Sequence, residues 1–188
     1  MVNHTGIQTD RLMLKVLDDS FAPRVLDFFI RNKEFFRQWE SAREDIFYSL
    51  DFQKEQLTNE LKKIDEGSLF KVWIFEKADQ DFKTVIGSVS LSEIIRGCFQ
   101  SCFLGYRMDE QKNNRGYTTE AVKAIIHYAF NTLKLHRIEA NIMPENTASI
   151  KVVEKLGFIN EGLAAKYLNI NGRWEDHIHM VILNGSIE

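Results

Sequence analysis

One stretch of the sequence restricts the fold more than any other. Cys102 to Met108 reads as a strand, Thr118 to Leu133 carries Val122, Ile125, Ala129, Phe130 and Leu133 on one helical stripe, and Arg137 to Met143 returns to strand. Two strands joined through such a helix run parallel in one sheet, with the helix as a right-handed crossover. The loop between Met108 and Thr118 then lies beyond the carboxyl end of a strand, where α/β sheets bind ligands.

The flanking sequence supplies the rest of a mixed α/β (α+β) sheet. Leu12, Leu14 and Val16 give the alternation of a strand within Gln8 to Leu17. Asp18, Asp19 and Ser20 carry N-cap chemistry ahead of Pro23, and a helix follows through Ile30. Asn32 to Leu50 holds Phe35, Phe36, Trp39, Phe47 and Tyr48 without a clean period, as expected of a pocket mouth, a core edge or a dimer contact. Phe52 to Ile64 is a helix stopped by Gly67-Ser68, and strands follow at Leu69 to Glu76 and Thr84 to Leu91. Thr147 to Leu156 is a short helix ended at Gly157, a residue that takes the left-handed cap conformation cheaply. Phe158 to Ile170 and Arg173 to Leu183 flank Asn171-Gly172, a hairpin turn signal. The expectation is seven strands, mostly antiparallel around one parallel pair, with helices on both faces.

With 188 residues, 44% hydrophobic and 27% charged, the chain suits a single domain spanning 1–188. A net charge of -3 with both signs intermixed argues against a nucleic-acid surface, so a negatively charged ligand needs a local site. Cys98 and Cys102 read as reduced thiols, and no metal cage is expected of them. Met1 to Asp10 is polar, and no run approaches the roughly 20 apolar residues of a membrane span. A cytoplasmic protein without membrane contact is expected.

That local site is Gln111-Lys112-Asn113-Asn114-Arg115-Gly116-Tyr117-Thr118. Orphan N–H groups and the positive dipole end of a helix start favour an anion such as a pyrophosphate. Gly116 lets the main chain approach closely, Asn114 tolerates positive φ, and Lys112 and Arg115 can add charge-assisted contacts. The loop alone fits a solvated strand-to-helix turn equally well.

The loop is similar to the Gln/Arg-x-x-Gly-x-Gly/Ala pyrophosphate motif of GNAT acetyltransferases, with Gln111 and Gly116 matching and Asn114 where the first Gly is usual. Gly116-Tyr117-Thr118-Thr119-Glu120-Ala121 resembles that family's helix start. Leu135-His136-Arg137-Ile138-Glu139-Ala140, Asn146-Thr147-Ala148-Ser149, Glu154-Lys155-Leu156-Gly157-Phe158 and Glu161-Gly162 follow in the order of the RimJ/RimL branch. Ile95-Arg96-Gly97-Cys98-Phe99 with Leu104-Gly105-Tyr106, Asn141 to Asn146, and Lys166-Tyr167-Leu168 through Gly172 to His177 resemble its RimJ-like ribosomal-protein-alanine N-acetyltransferases.

The resemblance implies a GNAT fold whose central parallel strands splay apart to admit the pantetheine of acetyl-CoA, here between Phe103 to Met108 and Arg137 to Met143. It implies a cofactor set of Tyr106, Arg107, Met108, Gln111, Asn113, Asn114, Arg115, Gly116, Tyr117, Thr118, Asn146 and Ser149, with a main-chain N–H near Tyr106 to Met108 as oxyanion donor. The implied reaction is direct attack of an amine on the thioester without an acyl-enzyme, with Ser149 and Tyr167 as proton donors to the leaving thiolate. Ser149 could equally be a helix-start hydroxyl bonded to its own backbone. Lys166 stands where the related enzymes carry a carboxylate, which leaves Glu93, Glu139, Glu145 and Asp176 open as general base. The acceptor implied is a protein N-terminus, with a ribosomal protein as one candidate. A small amine (polyamine or aminoglycoside) and a catalytically weak, ribosome-associated CoA-binding module remain alternatives, as do monomer and homodimer.

Overall fold

The computed structural model describes residues 6–187, so positions 1–5 of the polar N-terminal stretch lie outside the described residues. Eight strands form one sheet: β1 (Ile7–Gln8), β2 (Leu12–Lys15), β3 (Phe70–Glu76), β4 (Gly87–Ile95), β5 (Ser101–Met108), β6 (Arg137–Ile142), β7 (Ile159–Ile170) and β8 (Arg173–Leu183). Their order across the sheet is β1-β2-β3-β4-β5-β6-β8-β7. The strand beyond the expected seven is β1, whose two residues pair with Leu14 and Met13 and are too few to show a period. β4 starts later than its apolar pattern, and ahead of it the carbonyl of Val85 is taken by the Arg31 side chain.

Five helices cover the sheet: α1 (Ala22–Arg31), α2 (Lys33–Phe36), α3 (Leu50–Asp65), α4 (Tyr117–Asn131) and α5 (Thr147–Lys155). Two of these helices, α3 and α5, start at short polar side chains that take up orphan N–H groups. Ser49 accepts from Phe52 N at α3, and Asn146 accepts from Ser149 N at 3.1 Å at α5. Ahead of α1, Asp18 caps a 3-10 turn and Pro23 fills the first helical turn. Among the described residues no helix is long and apolar enough to cross a membrane.

Strand alternation sorts the interior into two cores. Val89, Leu104, Ile138 and Met180 face α4 and α5, where Val122, Ile125 and Val153 meet them. On the other face, Trp73 and Phe75 of β3 pack against Phe28 and Phe29 of α1 and Leu57 of α3, with Phe28 edge-on to Trp73 at 6.0 Å.

All neighbouring strands are antiparallel except β5 and β6. This parallel pair holds for three positions, Ser101 with Arg137, Cys102 with Ile138 and Phe103 with Glu139, and then separates. The separation is not fraying: β5 stays paired with β4 as far as Met108, and β6 with β8 as far as Ile142. The sheet is therefore open along one internal seam.

β4 keeps β5 on its side of the seam through a close approach at Gly87. A Cβ there would lie 2.5 Å from Arg107 O and 3.1 Å from Ile74 Cδ1. Gly87→Ala is expected to cost about 1–3 kcal/mol, as overpacking does, read as a lower urea midpoint at unchanged m-value.

Candidate active site

A cleft of about 630 Å³ opens beside the end of β5 that no longer pairs with β6, bounded by β5, the start of α4, α5, the end of α2 and the segment after it. Of the residues singled out from sequence, Tyr106, Arg107, Met108, Asn113, Asn114, Gly116, Tyr117, Thr118, Asn146 and Ser149 line it. Gln111, Arg115 and Tyr167 do not lie on its wall.

The main chain supplies the first part of the site. Asp109 N donates to Ile86 O on the β4 side at 2.9 Å. N–H groups alternate along a strand, so those of Met108 and Tyr106 point away from β4, into the seam. At the far end, Gly116 at φ +78° and Asn114 at φ +60° turn the chain into α4, leaving its first N–H groups facing the cleft.

This loop is held at both ends. Asp109, buried, accepts from Arg31 Nε at 2.7 Å and from Gln111 N at 2.9 Å, while Asn32 Oδ1 accepts from Glu110 N. At the other end Glu120 accepts from Thr9 Oγ1 at 2.6 Å and from Arg11 N and Nε at 2.8 and 2.7 Å. Arg11 also donates to Arg115 O and lies 4.7 Å from the Tyr117 ring centroid. Lys112 does not reach the cleft as a free cation: it pairs with Glu76 at 2.8 Å, which also accepts from Tyr117 Oη. The cations that line the cleft without an ion pair among the described residues are Lys151 and Lys155 of α5. Sequence reasoning missed both, though their i, i+4 spacing puts them on one helix face.

Across the cleft, Tyr106 Oη donates to Ser149 O at 3.0 Å, tying β5 to α5. Burial pushes the Tyr106 phenol up to about 12, offset in part by a hydrogen bond with the Ser149 side chain. Ser149 is not its own cap, since Asn146 has that task, and its side chain meets the Tyr106 phenol instead.

The aromatic segment divides. Phe36 and Phe47 pack on Phe28 and Phe29, whereas Phe35, Phe36 and Trp39 form cleft wall. Phe36 and Glu40 also bound a second cavity of about 250 Å³ with Phe47 and Tyr48. Glu40 makes a bidentate pair with Arg107 of β5 at 2.5 and 2.9 Å. Burial alone would raise the Glu40 carboxyl, but Arg107 and Arg43 outweigh it and hold the group below its usual range. The β7–β8 turn, with Asn171 at φ 53° and Gly172 at φ 84°, reaches over this segment: Asn171 Oδ1 accepts from Ala42 N at 2.6 Å and Ser41 donates to Asn169 O. Tyr167 of β7 sits on the same face and accepts from Asn141 Nδ2 at 3.1 Å; burial, then Glu139, raises its phenol.

The clamp on the loop makes a pH-dependent contribution. Burial would raise the Glu120 carboxyl, but the bonds from Thr9 and Arg11 win and lower it below 4.5. A depressed folded-state value stabilises above the unfolded value and is lost as pH falls through the folded one. Glu120→Gln is expected to lower stability at neutral pH and to flatten the urea midpoint against pH below about 5.

Comparison with known proteins agrees with this arrangement. The family model described as acetyltransferase (GNAT) domain matches residues 11–159. The Escherichia coli [ribosomal protein uS5]-alanine N-acetyltransferase is 37% identical over 92% of this chain and 87% of its own length. The crystal structure of a ribosomal-protein-S5-alanine acetyltransferase from Vibrio fischeri superposes with a TM-score of 0.91 at 31% identity, covering 97% of this chain and 98% of that one. A spermidine N(1)-acetyltransferase of Vibrio cholerae is 28% identical over 61% of this chain and 69% of its own length. An open seam, a left-handed glycine at a helix start and a family match that spans both leave one conclusion: the chain is an acetyltransferase and belongs to the GNAT domain family.

Proposed function

We propose that this chain, acting as a single domain, transfers the acetyl group of acetyl-CoA to the N-terminal α-amine of a protein beginning with Ala or Ser, with a ribosomal protein as acceptor. The observation that carries the reading is the seam itself. Its unpaired strand edges are what the amide-rich arm of CoA would satisfy, since buried orphan donors and acceptors are costly. The N–H groups of the loop and the α4 start suit the diphosphate, and Lys151 and Lys155 add positive charge beside it. The Escherichia coli and Vibrio fischeri relatives, named for an alanine of a ribosomal protein, favour the protein acceptor.

The chemistry is direct attack. The amine nitrogen bonds to the thioester carbon, the carbonyl oxygen takes up charge against a Tyr106 or Met108 N–H, and the carbon–sulfur bond then breaks. The leaving thiolate takes a proton from Ser149, whose hydroxyl is not used to cap α5, or from Tyr167. An α-amine with an unperturbed pKa of about 7.7–8.0 is partly neutral at neutral pH, so removal of its proton needs only a modest base.

Incubation with acetyl-CoA and peptides beginning with Ala or Ser is expected to yield α-acetylated product by mass spectrometry. Product formed only from spermidine or another small amine would overturn the peptide reading in favour of the polyamine one. Ser149→Ala is expected to lower kcat by about 10²-fold, as loss of a general acid does, with acetyl-CoA affinity unchanged in calorimetry. Gly116→Val, at a φ that β-branched residues avoid, is expected to abolish that affinity while the circular dichroism spectrum is retained.

A further inference from the structure

The seam closes at the pair Phe103–Glu139, so a thioester lying between the strands has its reacting end beside Glu139 and the next wall residues of β6. Ile138, Ala140 and Ile142 face α4 and α5 in the core; by alternation Glu139 and Asn141 face the opposite side of the sheet. Arg107 of β5 and Glu40 meet on that side as well, under the β7–β8 hairpin. An acceptor arriving there meets a polar group of residues that the steps above do not use.

Asn141 and His179 stand directly opposite each other on β6 and β8. His179 Nδ1 lies 3.2 Å from Glu139 Oε1, and the other Glu139 oxygen accepts from Arg137 Nη2 at 2.8 Å. Arg137 bridges onward to Glu161 at 2.6 Å. A carboxylate at hydrogen-bond distance draws the imidazole proton to Nδ1, which leaves Nε2 as a lone-pair acceptor. Asn141 commits its amide nitrogen to Tyr167 Oη, so its Oδ1 is an acceptor too. Both His179 Nε2 and Asn141 Oδ1 are buried and lack a hydrogen-bonding partner among the described residues. Two neighbouring buried acceptors call for a donor between them, and the donors that chemistry brings to this face are a water molecule and the acceptor's own amine.

On the acetyl-transfer reading above, we propose that His179, oriented by Glu139, accepts the proton lost by the attacking amine, relayed through a water held between His179 Nε2 and Asn141 Oδ1. As the nitrogen–carbon bond forms, the ammonium proton passes to the water and the water's proton to Nε2, giving an imidazolium that Glu139 stabilises. The electron pair of the breaking carbon–sulfur bond leaves on sulfur, which is protonated separately, and the imidazolium returns its proton to solvent after product release. The charged and titratable groups around the ring are Glu139 and Arg137 of β6, Glu161 and Tyr167 of β7, and His177 of β8. Glu139 is the one in direct contact with the ring nitrogen. The relay supplies the base that Lys166 cannot, and Lys166 itself is turned out at φ +52° in a β7 bulge.

The test is the pH dependence of kcat/KM for an Ala-initiated peptide in wild type, His179→Gln and Glu139→Gln, with acetyl-CoA affinity as the check on folding. Wild type is expected to lose activity on the acid side with a slope that steepens from about one toward about two log units per pH unit, because the amine and the relay base must both be unprotonated. His179→Gln is expected to fall by about 10²-fold at neutral pH and to keep only the amine's slope of about one, with acetyl-CoA affinity unchanged. Glu139→Gln is expected to lose activity in the same direction and carries the test if His179→Gln does not fold. Wild-type activity and slope retained in the folded variants would overturn the relay while leaving N-terminal acetylation standing. A wild type that binds acetyl-CoA and transfers to no peptide would overturn both.

Discussion

Three hydrogen-bonded register positions hold the parallel strands together, and beyond them the sheet gives up backbone pairing along its own middle. Each buried N–H or C=O left unpaired costs about 1–3 kcal/mol, so such a seam persists only if the surroundings forbid closure. Here they do. β4 keeps its ladder with β5 to the last residue, β8 does the same for β6, and Tyr106 acts as a strut from β5 to the first turn of α5. α4 and α5 bring a wedge of apolar side chains under the diverging strands. The seam is a built feature of the packing on both sides, which is why it can serve as a place where foreign backbone-like groups are taken up.

The loop beside the seam shows the same economy in electrostatics. The cations around it are spent on architecture: Arg31 on Asp109, Arg11 on Glu120 and Lys112 on Glu76. What faces the cleft is main chain, with its dipoles fixed by the left-handed turn at Asn114 and Gly116. Fixed dipoles need no reorganisation when an anion arrives, whereas lysine side chains would have to be ordered. Among the described residues, the cleft-lining lysines without an ion pair belong to α5, a different element from the loop.

Much of this was legible in the sequence because it rests on local pattern. The strand–loop–helix–strand order around residues 102–143 predicts the parallel pair, Asn171-Gly172 predicts the hairpin, and the apolar stripe of α4 predicts which face it buries. Less legible was whatever depends on partners far away in the chain. Thr9 and Arg11 carry no local sign that they clamp Glu120, more than a hundred residues on. Glu40 looked like one charge among many in an aperiodic aromatic stretch, yet it meets Arg107 across the fold. Glu139 was one of four carboxylates with equal claims; its contact with His179 exists only because β6 and β8 are neighbours although α5 and β7 intervene in sequence. β1 escaped notice for a simpler reason, since two residues cannot display a period.

The bond between Arg11 and Glu120 couples the rim of the sheet to its ligand loop. Strands near a sheet edge open by local unfolding at a smaller free energy than central ones. Each opening of β2 that frees Arg11 therefore also frees the α4 start, and the loop samples conformations in which its dipoles no longer converge. Coupling of this kind is reciprocal. On the proposed reading, a ligand seated on the loop is expected to slow amide hydrogen exchange in the amino-terminal strands, far along the chain from the residues it touches, so that the first strands described would report on occupancy of a site they do not enter.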